Sequence, residues 1–201
     1  MKQEKTTFTY VQNILAYNCM PTLLKLKPST ILNVPKREGE KAEEFFKTLG
    51  KEIKKFDCKY AYILNTATSH IILVYHEQML KQQFEDTECN QMLASFGYQL
   101  GEQKIADALS CLKCRYRNYM EERKEFPDEL GIFFGYPIED VKAYIKNNGK
   151  NYKRCGYWKV YCNVERAEQT FRIFKGIREA AIQAVSAGVA LTEVEERYLS
   201  A

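Results

Sequence analysis

The sequence predicts an α+β protein in which a small antiparallel sheet, made of a hairpin plus a late strand, is covered by several helices. Two runs rich in β-branched and aromatic residues flank a run of turn formers and predict the hairpin, while apolar residues that recur every three or four positions predict the helices. No linker rich in Pro, Ser or Gly and no internal repeat divides the 201 residues, so we expect a single domain over 1–201.

The first half of the chain combines helices with strands. Val11, Ile14 and Leu15 lie at helical spacing, and Pro21 stops the helix that they predict. In chain order, the patterns predict a helix over 9–17, an extended run over 31–34, an amphipathic helix within 39–56, and a hairpin whose strands 60–64 and 70–75 are joined by the turn 65–69.

The second half is mainly helical. Its patterns predict helices over 77–96 and 102–119, a short helix over 127–133, a helix that Pro137 begins and Gly149 ends, a long strand over 152–162, and a final long helix. Asn163 precedes the final helix and is suited to cap it, because its side-chain oxygen accepts a hydrogen bond from the first turn. The apolar stripe of that helix runs from Ala167 to Val185 and predicts one buried face.

Composition indicates a folded protein of a reducing compartment. A hydrophobic fraction of 45% with 13% aromatic residues can form a core without a metal ion or a disulfide. The seven cysteines are an odd number and we expect no secretory leader, so a disulfide framework is not expected either. The longest apolar runs, such as 70–75, are far shorter than the roughly 20 residues that span a bilayer. We therefore expect a cytoplasmic protein with no membrane partner.

Four stretches, spread over nearly the whole chain and in the same order, resemble a bacterial family known as domain of unknown function 3793. They are Cys19-Met20-Pro21-Thr22-Leu23 with Lys27, Phe126-Pro127-Asp128-Glu129-Leu130-Gly131, Phe134-Gly135-Tyr136-Pro137 with Glu139-Asp140-Val141, and Cys155-Gly156-Tyr157-Trp158-Lys159-Val160-Tyr161. The resemblance implies a compact cytosolic protein, mostly of anaerobic Gram-positive bacteria, with no established activity. The family often has a histidine where this sequence has Asn18 and another where it has Asp128, so we expect no histidine-based site at those positions.

The leading functional hypothesis is a module that binds a small ligand or a partner. The four stretches lie mainly at predicted element boundaries, where binding residues are commonly held by a scaffold. Glu129 lies near apolar phenylalanines that would raise its pKa, which suits a general acid or base, although a structural carboxylate explains it equally well. We expect the segments around Cys19, Glu129 and Tyr136 and the segment 155–161 to converge on one site. Its candidate ligand-binding residues are Cys19, Thr22, Lys27, Glu129, Tyr136, Cys155, Tyr157, Trp158 and Lys159.

Nucleic-acid binding is an alternative that is not favoured. Segment 141–178 has 10 Lys and Arg against 2 Asp and Glu, whereas the whole chain has a net charge of only +4. Its candidate phosphate contacts are Lys146, Lys150, Lys153 and Arg154, with aromatic residues between them that are suited to stacking on bases. Glu139 and Asp140 count against a helix-turn-helix over 128–148, since they would face phosphate.

Thiol- or metal-dependent chemistry at Cys155 is a third alternative. On a long strand Cys155 would share a face with Lys153 and Lys159, whose charges favour a thiolate. The competing interpretation is that Cys19 and Cys155 are small buried apolar residues. Cys111 and Cys114 have the spacing of half a zinc site, but no second pair accompanies them, so no metal site is predicted. No cofactor motif is present, and enzyme status stays open.

Overall fold

The computed structural model describes residues 2–39, 41–123 and 125–199, and helices and strands alternate along the first half of the chain. The elements are α1 Lys2–Asn18, α2 Met20–Leu23, β1 Ser29–Pro35, α3 Ala42–Lys54, β2 Lys59–Asn65, β3 Ser69–Tyr75, α4 Glu77–Glu85, α5 Thr87–Ser95, α6 Lys104–Glu122, α7 Leu130–Phe133, α8 Ile138–Lys146, β4 Arg154–Cys155, β5 Lys159–Val160, α9 Val164–Ser186 and α10 Leu191–Leu199.

The central sheet has three antiparallel strands in the order β1-β3-β2. β2 and β3 form the hairpin that the sequence predicts, with an irregularity in register between Tyr62 and Leu64. β1 pairs with the other edge of β3, from Ser29 opposite Tyr75 to Pro35 opposite Ser69. Because helices cover both faces of the sheet, the central strand is buried along nearly all its length, which suits its continuous apolar run.

Two apolar cores lie on opposite faces of this sheet. Ile72 and Val74 of β3 belong to one core, which also contains buried residues of α1, α2, α3, α9 and α10. Ile71 and Leu73 alternate with them and belong to the other core, which contains buried residues of α4, α5, α6, α7 and α8. The α+β class, the antiparallel sheet and its helical cover are therefore confirmed.

The long strand predicted over 152–162 is wrong. The structure has a small separate hairpin there, in which Arg154 of β4 pairs with Val160 of β5 and Cys155 pairs with Lys159. The backbone N–H of Gly156 donates to the carbonyl of Trp158 at 3.0 Å and closes the turn. Gly156 also lies against the ring of Phe171 in α9, leaving no space for a Cβ. The alternation predicted for one long strand ends at this turn, but Cys155 and Lys159 still lie side by side, as cross-strand partners.

Two predicted helices also differ from the structure. The helix predicted over 77–96 is divided at Asp86, whose carboxylate accepts from the N–H of Cys89 at 2.9 Å and caps α5. The helix after Asn163 is capped as predicted, since the Asn163 side chain accepts from the N–H of Arg166 at 3.0 Å. This helix is not the last one, because α10 follows it after a turn at Gly188, where φ is +74°. In the described part of the chain, no helix is both long enough and apolar enough to cross a membrane.

Candidate functional site

Lys27 lies in the turn between α2 and β1 and is partly buried. Its Nζ is 5.0 Å from the ring centroid of Phe134 and 5.6 Å from that of Tyr136, within the range of a cation–π interaction. Among the described residues, no carboxylate forms an ion pair with this ammonium, and no group accepts a hydrogen bond from it. Burial lowers the pKa of Lys27 from 10.5 to about 8, because removal from water disfavours the charged form.

Close packing between two loops holds Lys27 over these rings. Gly135 has a φ of +69° and lies so close to the ring of Pro28 that a Cβ would overlap it. The hydroxyl of Ser29 donates to the carbonyl of Phe133 at 2.6 Å, in the same pair of loops. The turn after α7 is thereby fastened to the start of β1, which places Phe134 beside Lys27.

Five aromatic side chains, here called the aromatic cluster, connect this turn to the β4–β5 hairpin and to α9. Tyr136 stacks on Trp158 with ring centroids 5.1 Å apart, and Trp158 meets Phe171 edge-on at 4.5 Å. Tyr157 meets Phe174 edge-on at 5.2 Å. The hydroxyl of Tyr136 donates to the carbonyl of Tyr157 at 3.0 Å, and burial raises its pKa to about 12. Residues from three distant parts of the chain therefore form one connected surface.

A cavity of about 220 Å³ is lined by Tyr157 and Phe174 of the aromatic cluster and by two cationic side chains. This space, called the cationic cavity, is lined by Tyr17, Asn18, Pro21, Lys27, Thr30, Tyr157, Phe174 and Arg178. None of these described residues is Asp or Glu. The Nε of Arg178 is buried and has no hydrogen-bond partner among the described residues, and no ion pair forms with this side chain there. The cavity therefore presents two positive groups that form no ion pair with the described residues.

A second cavity of about 300 Å³, the apolar cleft, is lined by Tyr136, Tyr157 and Trp158 of the aromatic cluster. Its walls include Phe126, Phe134, Tyr144 and Trp158, and its polar lining includes Asp128, Cys155 and Lys159. Burial, together with the neighbouring charges of Glu129 and Glu125, raises the pKa of Asp128. The Nζ of Lys159 donates to the carbonyl of Gly149 at 2.8 Å. The ammonium of Lys159 therefore already has a backbone hydrogen-bond acceptor.

Glu129 lies in neither cavity. Its side chain is fully buried, accepts two hydrogen bonds from the guanidinium of Arg115, and accepts a third from the hydroxyl of Tyr98 at 2.9 Å. Burial and the charge of Glu129 raise the pKa of Tyr98, so this phenol remains a donor at neutral pH. Glu129 therefore forms a structural ion pair. A structural carboxylate was the second interpretation that the sequence left open for this residue.

Cys19 and Thr22 are fully buried, and Cys19 is close enough to Lys27 to affect its pKa. The hydroxyl of Thr22 is 2.8 Å from the hydroxyl of Thr30, one of the residues that line the cationic cavity. Burial and the neighbouring Cys58 raise the pKa of Cys19, so its thiol stays protonated at neutral pH. Cys155, in contrast, is exposed and lies in the apolar cleft. The two cysteines therefore occupy different environments.

The basic side chains of segment 141–178 are spread over the surface. Lys146, Lys150, Lys153 and Arg154 are all exposed, and Nε of Arg154 forms an ion pair with Glu168 at 3.0 Å. Lys159 is turned inward and lies over the rings of Tyr144 and Tyr152. Among the described residues no group of three His, Cys, Asp or Glu side chains could hold a metal ion. Nucleic-acid binding and chemistry at Cys155 both stay predictions.

Two residues of this region were not identified from the sequence. The sequence suggested for Asp140 a carboxylate that would face phosphate. In the structure it is buried and accepts from the backbone N–H groups of Tyr161 and Cys162 at 2.8 and 3.0 Å, and from the indole of Trp158 at 2.8 Å. Asp140 thereby fixes the β4–β5 hairpin. Arg178 follows Phe174 by four residues and so shares its side of α9, and this spacing was the available signal.

The comparisons with known proteins agree with the resemblance stated from the sequence. No curated protein and no solved structure matches this chain. The family model described as "Protein of unknown function (DUF3793)" matches residues 15–195, a range that includes all four family-like stretches and both cavities. The chain therefore belongs to the DUF3793 family.

Proposed function

We propose that this protein binds a small anionic molecule in the cationic cavity. The observation that carries the proposal is the presence of Lys27 and Arg178 in one cavity without a described carboxylate in its lining. Two partly buried cations that line the same space lose hydration, which costs stability unless a partner compensates them. A bound carboxylate or phosphate group would provide that compensation.

The walls of the cavity indicate the shape of such a ligand. Tyr157 and Phe174 provide aromatic surface, while Asn18 and Thr30 add neutral polar groups. Ligand sites commonly combine apolar walls with a few polar groups that fix orientation. We therefore expect a compact anion with a small apolar body. The proposal retains Lys27 and Tyr157 from the residues that the sequence predicted, adds Arg178, and leaves Glu129 outside the site.

Titration calorimetry with inorganic phosphate and with lactate tests this proposal. Each variant Lys27→Met and Arg178→Gln removes one charge-assisted contact, which corresponds to about 1.5–3 kcal/mol, so we expect the affinity for the bound anion to fall by at least about tenfold. Arg172→Gln is the matched control, because Arg172 is an exposed arginine on the same helix and lies outside the cavity. Equal affinity in all four proteins, or no binding of either anion, would contradict the proposal.

A further inference from the structure

The amine of Lys27 is unusual in having rings as its neighbours in place of a carboxylate. Phe134 and Tyr136 lie beside its Nζ, and the cationic cavity gives small molecules access to it. A lysine with a pKa of about 8 has roughly one-tenth of its amine groups neutral at pH 7, far more than an exposed lysine. Among the described residues, the one titratable group that acts on this pKa is the Cys19 thiol, and burial keeps that thiol neutral.

We propose that Lys27 forms a Schiff base with a small carbonyl compound that also has a carboxylate, the chemistry of a 2-oxo acid. In this arrangement Lys27 supplies the nucleophilic nitrogen, and Arg178 binds the carboxylate, for which a planar guanidinium is well suited. This inference deepens the proposed function and rests on it, because it assigns the bound anion to one chemical class.

The reaction requires nothing beyond the amine, the carbonyl compound and water. The lone pair of the neutral Nζ attacks the carbonyl carbon, and the π electrons of the C=O bond move to oxygen, which takes up a proton. The nitrogen then loses a proton, the hydroxyl group leaves as water after protonation, and a C=N bond replaces the C=O bond. One molecule of water is released for each imine, and no group is oxidised or reduced. The carboxylate is unchanged and stays available to Arg178.

Electrostatics favour this ligand class over a neutral ketone. The carboxylate contributes one negative charge next to a guanidinium that has no ion-pair partner among the described residues. Binding the carboxylate holds the carbonyl carbon close to a lysine that lines the same cavity, which raises its local concentration. A carbonyl compound of similar size without a carboxylate lacks this anchor and should react more slowly.

Reductive trapping tests the inference. The folded protein is incubated with pyruvate and sodium cyanoborohydride, digested, and its peptides are quantified by mass spectrometry. We expect the reduced adduct on Lys27 to exceed that on Lys25 and Lys36, two exposed lysines on either side of it in the sequence, by at least about tenfold. We also expect Arg178→Gln to lower labelling of Lys27 by pyruvate by about tenfold, and to leave labelling by acetone nearly unchanged.

A second measurement needs no variant and separates the two proposals. Lactate has the carboxylate of pyruvate but no carbonyl group, so it should slow labelling of Lys27 in the wild-type protein without forming an adduct. Lactate that binds while pyruvate gives no preferred adduct on Lys27 would overturn the Schiff base and leave anion binding intact. Preferred labelling of Lys27 that neither lactate nor Arg178→Gln reduces would overturn the role of the carboxylate. Equal labelling of all three lysines would overturn the inference altogether.

Discussion

Replacing Lys27 by methionine should stabilise the fold at neutral pH, although it removes a charged side chain from the candidate site. The pKa of Lys27 falls from 10.5 to about 8, which corresponds to about 3 kcal/mol at 1.36 kcal/mol per pKa unit. The cation–π contacts of Lys27 with Phe134 and Tyr136 offset about 1 kcal/mol of this destabilisation. Methionine retains most of the aliphatic contact, so we expect Lys27→Met to raise the free energy of unfolding by about 2 kcal/mol at pH 7.

The stability gained in Lys27→Met should become smaller as the pH rises. Below pH 8 the lysine is protonated in both the folded and the unfolded chain, so the full cost of the buried charge is present. Between pH 8 and 10.5 the unfolded chain binds more protons than the folded one, and the wild-type protein therefore gains stability as the pH rises. The difference between Lys27→Met and wild type should narrow by about 1 kcal/mol between pH 7 and pH 9.

Urea denaturation followed by circular dichroism measures this difference at both pH values. Lys51→Met is the matched control, because Lys51 is an exposed lysine on α3 and its replacement should change stability by less than about 0.5 kcal/mol at either pH. A destabilised Lys27→Met protein, or a difference that stays constant from pH 7 to pH 9, would refute the conclusion that Lys27 is an uncompensated buried amine.

Three further predictions follow from residues around the site. Gly135→Ala should lower the free energy of unfolding by about 3 kcal/mol or more, because its left-handed φ is combined with an overlap of the new Cβ on Pro28. Gly188→Ala, at φ +74° with open space around it, should lower it by only about 1 kcal/mol. Equal losses in urea denaturation would contradict this. Arg115→Met should cost about 3–5 kcal/mol in the same assay, because it strands the buried charge of Glu129, and a loss below 1 kcal/mol would disprove the pairing. Iodoacetamide at neutral pH should modify exposed Cys155 well before the buried cysteines, as read by peptide mass spectrometry, and a rate no faster than that of an unfolded peptide would count against special thiol chemistry there.

Patterns within a short stretch of sequence predicted the elements whose conformation depends on neighbouring residues in that stretch. The β2–β3 hairpin was predicted because its apolar runs and its turn residues are adjacent in the sequence. The segment 152–162 has the same alternating composition but contains Gly156, which lies against the ring of Phe171 in a helix that comes later in the chain. Nothing within the segment itself reveals that ring. The pattern therefore predicted a strand where tertiary packing produces a turn.

The candidate site was predicted in part for the same reason. Lys27, Tyr136 and Trp158 were selected from family-like stretches, and the structure brings them into contact through the aromatic cluster. Arg178 was missed because it lies outside those stretches, in the basic segment 141–178, whose side chains were considered only as candidate phosphate contacts. A side chain's burial and partners depend on residues distant in sequence, so composition alone does not separate Arg178 from the exposed Lys153.

The presence or absence of an ionic partner distinguishes the structural charged residues of this protein from the proposed functional ones. Each of the buried carboxylates Glu52, Glu129 and Asp140 accepts hydrogen bonds, from Gln12 and Lys55 in the first case and from Arg115 in the second. Such pairing is what stability requires of a charge inside a protein. Lys27 and Arg178 lack a described ionic partner although other charges of the same fold have one. Under the proposed function, an anion in the cationic cavity would compensate both cations, and the stability of the fold would then increase with anion concentration.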